Sequence, residues 1–219
     1  MLLNDSEADW EILVADNGST DRSRSIALEH GVKVITVATR GYGATLIQGI
    51  RACESEWVVF LDADGTYQPE DALRLLKVAL RENSGLLLGS RIKGTIEDGA
   101  MPFLHRYVGT PILSLLIRGI YGLPVSDCNS GIRCFRKDVF LQWGIRGDGM
   151  EFASMTLIRA AIAGVRFAEI PVTLKRVTSP RISHLRPWKD GLRHLQVILA
   201  HAPRAIMMRL KAQISDSCK

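Results

Sequence analysis

Asp62 and Asp64 stand one residue apart, directly behind the apolar run Trp57-Val58-Val59-Phe60-Leu61. Residues i and i+2 of an extended segment point to the same side, so the two carboxylates converge on one object while Ala63 turns away. Two like charges aimed at one point call for a cation. With no imidazole or thiolate close by in sequence, hard carboxylate oxygens suit Mg2+ or Mn2+, ions that take one or two carboxylates and fill their remaining positions with substrate phosphates and water. The competing reading is turn chemistry, because Asp and Gly are common where a strand stops and Gly65 follows.

Two further apolar runs end in polar groups. Val14-Ala15 leads into Asp16-Asn17-Gly18-Ser19-Thr20-Asp21, where Asp16 and Asn17 suit hydrogen bonds to a nucleobase or ribose and Ser19 or Thr20 suits capping a helix; a cap and turn alone is the alternative. Leu88-Gly89-Ser90 ends at Arg91, which either pairs with a phosphate or sits solvated at the surface. Gly41-Tyr42-Gly43 precedes a helical pattern and lets backbone, with Gly43 as the contact residue, approach a phosphate.

The elements that must position these groups are short β-rich runs alternating with helix-period segments, the pattern of a mixed, mostly parallel sheet flanked by helices. Strands are expected at 11–15, 33–37, 57–61, 86–89 and 169–175, and helices at 21–30, 44–53, 69–82, 101–121, 149–163 and 187–211. In such α/β sheets ligands bind in the crevice beyond the carboxyl ends of the strands, where Asp16, Asp62 and Arg91 all fall. The 69–82 helix is well signalled. Pro69 suits its first turn, Glu70 and Asp71 its positive dipole end, and Leu73, Leu76 and Leu80 set the expected buried face.

A chain of 219 residues supports one sizeable core, read as a domain over 1–180 with a basic amphipathic arm over 181–219. Cys53, Cys128, Cys134 and Cys218 show no metal-ligand spacing, which argues for free thiols in a reducing compartment and against zinc. No basic and apolar leader opens the sequence, and no run reaches the roughly 20 apolar residues that span a bilayer. The net charge of +5 hides −6 over residues 1–85 and +11 over the rest. A basic C-terminal half calls for an anionic partner: nucleic acid, a phosphorylated substrate or a lipid surface. In the arm, Trp188, Leu192, Leu195, Ile198, Leu199 and Ala202 recur at helical spacing among Arg186, Lys189, Arg193, Arg204, Arg209 and Lys211. This reads as an interfacial helix, or alternatively as one packed on the domain with its charged face in water. His184, His194 and His201 read as surface or interfacial groups rather than metal ligands.

Taken in order, "EILVADNGSTD", "RGYGATLIQGI", "VVFLDADGTYQPED", "LLLGSRIKG", "GAMPFLHRYVGTP", "VSDCNSGIRCFRKD", "GMEFAS", "AEIPVTLKR" and "HLRPWKDGLRHL" resemble the family 2 glycosyltransferases of the GT-A fold, in particular the polyprenyl-phosphate (dolichol-phosphate mannose or glucose synthase-like) branch. The series runs from about Glu11 to Leu199. The resemblance implies that Asp62 and Asp64 hold a divalent metal against the diphosphate of a nucleotide sugar, and that Asp16 and Asn17 contact its nucleoside. It implies that Arg91 and Arg133 lie near the diphosphate or the acceptor phosphate, that Asp127 faces the reaction centre, and that Glu151 belongs to the substrate site. Asp127 and Arg133 are thus the expected catalytic pair. The expected partners are a nucleotide diphosphate sugar, a polyprenyl phosphate and the cytoplasmic membrane face, not nucleic acid.

The expected chemistry is inverting transfer of a hexose. A metal and flanking arginines stabilise charge developing on the diphosphate. A lipid phosphate, with a second pKa of about 6, is already largely anionic near neutral pH, so Asp127 is assigned an orienting or electrostatic role rather than proton abstraction. Four departures from the family pattern stand out. The first strand, with its Pro-x-x-Asn-Glu-like end, is missing ahead of Glu11, and residues 1–9 match only the tail of the helix that follows it. Asn17 stands where an aspartate is common, Thr66 where some relatives carry a metal-binding glutamine, and His184 where many carry lysine. The second functional reading is therefore a truncated, catalytically impaired member that binds lipid or a partner. A sugar nucleotidylyltransferase would share the layout, but its Gly-rich, Arg- and Lys-bearing N-terminal loop is not visible.

Overall fold

The computed structural model describes residues 10–177 and 187–217, with side chains over 10–177 and 188–207. Residues 1–9, His184 and Arg186, and the side chains of Arg209 and Lys211, lie outside that description. Among the described residues six strands and seven α-helices follow one another as β1 (Leu13–Asp16), α1 (Ser23–Glu29), β2 (Lys33–Thr36), α2 (Tyr42–Ala52), β3 (Trp57–Phe60), α3 (Pro69–Glu82), β4 (Leu86–Ile96), α4 (Thr110–Tyr121), β5 (Arg133–Arg136), α5 (Lys137–Gln142), α6 (Phe152–Ile162), β6 (Phe167–Leu174) and α7 (Pro187–Ser217). A π-helical turn, His105–Gly109, leads into α4.

β1 and β2 form a parallel pair, while the other strands form a sheet in the order β3-β5-β4-β6. Three of its strands run the same way and β5 runs against them, antiparallel to both β3 and β4. β5 and α5 were not expected from the sequence. Arg133-Cys134-Phe135-Arg136 carries charge at both ends, yet it is an interior strand, and its first three residues are fully buried. Among the described residues β1 pairs only with β2 and β3 only with β5. Helix α2 joins the two sheets, with Gly49 seated on Ala15 of β1 and Ile50 in the main core.

Side-chain alternation divides the core into two layers. Leu86 and Leu88 of β4, Val58 and Phe60 of β3, and Phe135 of β5 face α4 and α6, whereas Leu87, Val59 and Cys134 face α3. Continuous apolar runs such as Leu86-Leu87-Leu88 mark a sheet covered on both faces. α3 starts at Pro69 and stops at Asn83, which takes the left-handed conformation at φ 47°. Its buried stripe is Leu75 and Ala79, with Ala72 and Leu76 beside them, and Leu80 is half exposed. The buried face is therefore centred on Leu75 and Ala79 and not on the expected Leu73 and Leu80, with Leu76 common to both.

α7 packs against α4 and α6. Ile198 and Ala205 enter the main core, and the Tyr121 hydroxyl donates to the Ile198 carbonyl at 2.5 Å. His194 corrects its sequence reading: it is 5% exposed and its Nδ1 lies 2.7 Å from Ser154 Oγ of α6. It is a core histidine that fastens the helix.

Candidate functional site

Asp16, at the end of β1, accepts hydrogen bonds from Ser19 N at 2.9 Å and Ser19 Oγ at 2.6 Å. These bonds hold its carboxyl below the usual range. Asn17 clasps the neighbouring loop: its Nδ2 donates to the carbonyls of Val37 and Thr39 at 2.9 and 2.8 Å, and its Oδ1 accepts from Gly41 N at 2.9 Å. An aspartate could make the third bond but neither of the first two. Asn17 thus fixes the start of α2, and through it Tyr42.

The Tyr42 hydroxyl meets Asp62, and burial together with that carboxylate holds its pKa well above the ordinary value. Asp62 lies just beyond β3, and residues 63–66 form a turn, so Asp64 is not the alternate residue of an extended strand. Asp64 Oδ1 accepts from Thr66 N at 3.0 Å and Thr66 Oγ1 at 2.5 Å. Asp62 instead lies against Gly131, where a Cβ would come within 2.4 Å of its Oδ2. That glycine makes room for the carboxylate. Tyr67, four-square behind the turn, is buried and its hydroxyl accepts from Gly131 N at 2.8 Å. Burial raises its pKa, and the charges of Arg91, Asp127 and Asp62 all reach it. Tyr67 therefore marks where the acidic turn meets the arginine site.

Arg91 sits in β4 with its guanidinium forked onto Asp127: Nε to Oδ2 and Nη2 to Oδ1 are both 2.7 Å, and Arg91 N reaches Oδ2 at 3.0 Å. The side chains are 13% and 0% exposed. Burial opposes the guanidinium charge, and Asp127 outweighs it, so the pKa of Arg91 is raised. Behind this pair lies a second carboxylate. Glu169 of β6 accepts from Ser126 N at 2.7 Å and Ser126 Oγ at 2.8 Å, and pairs with Lys93 at 2.8 Å. Ser126 Oγ also lies 2.7 Å from Ser90 Oγ. Glu169, Ser126, Lys93 and Tyr67 escaped sequence reasoning, and their only signal was membership of the motif strings.

Three expected site residues have other occupations. Arg133 is fully buried and donates to the carbonyls of Ser130, Ala153 and Cys128 at 3.3, 2.7 and 2.9 Å. Burial lowers its pKa. The expectation of a phosphate contact is corrected accordingly: its donors tie the loop before β5 to α6. Gly43 N donates to Asp148 O at 3.0 Å, and a Cβ there would lie 2.4 Å from Gly147 O. Its close approach is to chain, not to a phosphate. Glu151 precedes α6; its Oε1 accepts from Gly149 N at 3.1 Å, and Oε2 lies 4.0 Å from Arg193 Nη1. That Oε2 is buried without a hydrogen-bond partner among the described residues.

The donor set fits a Mg2+ or Mn2+ ion. Among the described residues no group of three or more acid, His or Cys side chains could cage a metal. One carboxylate at the strand end, given room by a glycine, and a second on the turn that follows match an ion that draws its other ligands from phosphate and water.

The glycosyl transferase family 2 model matches residues 2–144. The low-salt glycan biosynthesis hexosyltransferase Agl6 of Haloferax volcanii is 35% identical over 203 residues, 92% of this chain and 48% of that protein. A dolichyl-phosphate hexose transferase of the same organism is 29% identical over 162 residues, 73% of this chain and 68% of that one. The chain thus spans about half the length of Agl6, at 48%. Glucosyl-3-phosphoglycerate synthase of Mycobacterium tuberculosis superposes with a TM-score of 0.66 at 18% identity, covering 88% of this chain and 69% of that one. The same enzyme with Mn2+, uridine diphosphate and glucosyl-3-phosphoglycerate gives 0.62 at 20% identity, with the same coverage of 88% and 69%. These structures share the mixed α/β, GT-A-like fold. The chain belongs to glycosyl transferase family 2.

Proposed function

We propose that this protein moves a hexose from a nucleotide diphosphate sugar to a polyprenyl phosphate at the cytoplasmic membrane face, with inversion at the anomeric carbon. The observation that carries the reading is the buried Arg91–Asp127 fork set beside the Asp62–Asp64 turn, with Tyr67 between them. It holds a fixed cation next to two carboxylates able to hold another. Relatives whose names include a dolichyl-phosphate hexose transferase and a UDP-N-acetylglucosamine–dolichyl-phosphate N-acetylglucosaminyltransferase support the acceptor class.

Asp62 and Asp64 would hold Mg2+ or Mn2+. When bound, the ion neutralises charge on the leaving diphosphate. Arg91 adds a donor already oriented by Asp127, so little reorganisation accompanies charge development. Both Asp127 oxygens accept from Arg91, which makes it an orienting group and not a base. Arg133 is a positioning residue, and Gly43 fixes α2 against the 147–149 loop. Asp16 and Asn17 shape the edge where the nucleoside lies. Glu151 Oε2 retains acceptor capacity for a sugar hydroxyl. A phosphate monoester brings its own nucleophilic oxygen, and direct displacement inverts the sugar carbon.

The test is labelled-hexose transfer from nucleotide sugars to a polyprenyl phosphate with Mn2+. Asp64→Ala should abolish transfer, and full activity after chelation or in that variant would overturn the assignment. Calorimetric titration of nucleotide sugar with Mn2+ separates the impaired-member reading, which expects no metal-dependent binding.

A further inference from the structure

Among the described residues the most exposed large apolar side chains lie in two places, both on elements that pack on each other, α4 with its leading turn and α7. Before and within α4, Phe103 is 75% exposed, Tyr107 57%, Ile112 53% and Leu115 65%. At about 100° per residue, Val108, Ile112 and Leu115 share one face of that helical segment, opposite the buried Leu113, Ile117 and Tyr121. On α7, Trp188 is 80% exposed, and Leu192, Leu199 and Ile206 follow it at spacings of four and seven. They form a second stripe beside the face that buries His194, Ile198 and Ala202. Monomeric proteins seldom leave such stripes without a partner.

The flanking charges say which partner. Residues 103–121 contain Arg106 and Arg118 and no Asp or Glu, and residues 187–207 carry Lys189, Arg193 and Arg204 against Asp190 alone. Arg106 lies over the Tyr107 ring, 5.3 Å from its centroid, and the Phe103 ring packs against Tyr107 at 4.7 Å between centroids, tilted by 44°. Aromatic bodies with basic heads suit the boundary between lipid headgroups and acyl chains. No helix among the described residues is long and apolar enough to cross a bilayer, so the fitting geometry is one lying on it.

We infer that the α4 segment, together with α7, forms a two-element docking face for an anionic lipid bilayer, with Phe103, Tyr107, Ile112 and Leu115 entering the headgroup region beside the α7 stripe. His105, within the same turn, has its pKa lowered by burial and by the charge of Arg91, so the turn borders the arginine site. On the proposed lipid-phosphate reading, this face brings the acceptor headgroup to Arg91 without its chain leaving the bilayer.

The experiment is co-sedimentation of the full chain with vesicles of phosphatidylcholine plus phosphatidylglycerol, against phosphatidylcholine alone. The native chain should prefer the anionic vesicles. Phe103→Ser/Leu115→Ser and Leu192→Ser/Leu199→Ser, all at exposed positions, should each weaken partition about tenfold. Unchanged partition of the α4 double variant would overturn the inference, as would a solution dimer in sedimentation velocity that these same substitutions dissolve. Transfer to a water-soluble short-chain polyprenyl phosphate keeps the two proposals apart. Soluble transfer without vesicle binding removes the docking face alone; vesicle binding dependent on both stripes without soluble transfer removes the enzymatic reading alone.

Discussion

The acids of the β1 and β3 tips differ from those behind β4 in where their partners come from. Asp16 is satisfied by Ser19 and Asp64 by Thr66, three and two residues onward, each through one backbone N–H and one hydroxyl. Asp127 is satisfied by Arg91, 36 residues away, and Glu169 by Ser126, 43 residues away, and by Lys93. The first pair forms with its turn. The second exists only when β4, β6 and the loop before β5 have come together. Asp16 is itself only 6% exposed, but its removal leaves behind a turn N–H, a hydroxyl and the half-exposed Arg24, whereas removal of Asp127 leaves the guanidinium of Arg91 as an uncompensated charge.

The largest expected effect follows from that difference. Asp127→Ala strands the Arg91 guanidinium at 13% exposure and should destabilise the fold by about 3–5 kcal/mol, with transfer lost. Asp16→Ala, read by the same urea titration, should cost no more than about 2 kcal/mol, in the range of a lost cap. Equal costs would break the distinction. Replacing both Arg91 and Asp127 by leucine should recover part of the stability and none of the transfer, because it removes the stranded charge together with the fork.

His194 sharpens the comparison through pH. Burial takes its pKa from 6.5 down to about 4, so it is neutral in the fold and the unfolded chain binds the extra proton. A depressed pKa contributes stability that is present above about 6.5 and is lost as pH falls toward about 4. Stability at pH 7.5 should exceed that at pH 4 by about 3 kcal/mol from this group. His194→Asn should flatten that part of the profile, measured by urea midpoints across pH. A variant profile as steep as the native one would show that other groups carry the dependence.

Legibility in the sequence follows the same division. The alternation of strands and helices, the start of α3 at Pro69 and the polar ends of β1 and β3 are written in neighbouring residues, and the structure has them. β5 was hidden because its Arg133 looks like a surface or ligand-binding charge, while its three carbonyl partners lie on the loop before β5 and on α6. The clasp that Asn17 makes on the next loop was not legible because Val37, Thr39 and Gly41 reach it only through the turn after β2. His194 looked like an interfacial group because nothing near it in sequence announces Ser154. Residue type and spacing expose a group's chemistry; which partner consumes that chemistry is decided by tertiary contact.

The smallest expected effect probes the local acid itself. Thr66→Val removes the 2.5 Å hydroxyl bond to Asp64 Oδ1 and leaves the 3.0 Å backbone bond in place. The turn should lose about 1 kcal/mol, the net contribution of one hydrogen bond, and Thr66→Ser should restore it. A carboxylate relieved of one donor has a lone pair returned to it, so Mn2+ titration of Thr66→Val should show affinity within about tenfold of native, since each 1.4 kcal/mol is one factor of ten. Asp64→Asn should show none. If Thr66→Val also abolished the Mn2+ response, the hydroxyl would be part of the cation site. If Asp64→Asn kept the response, Asp64 would be a turn former only, and its pairing with Thr66 would be the whole of its role.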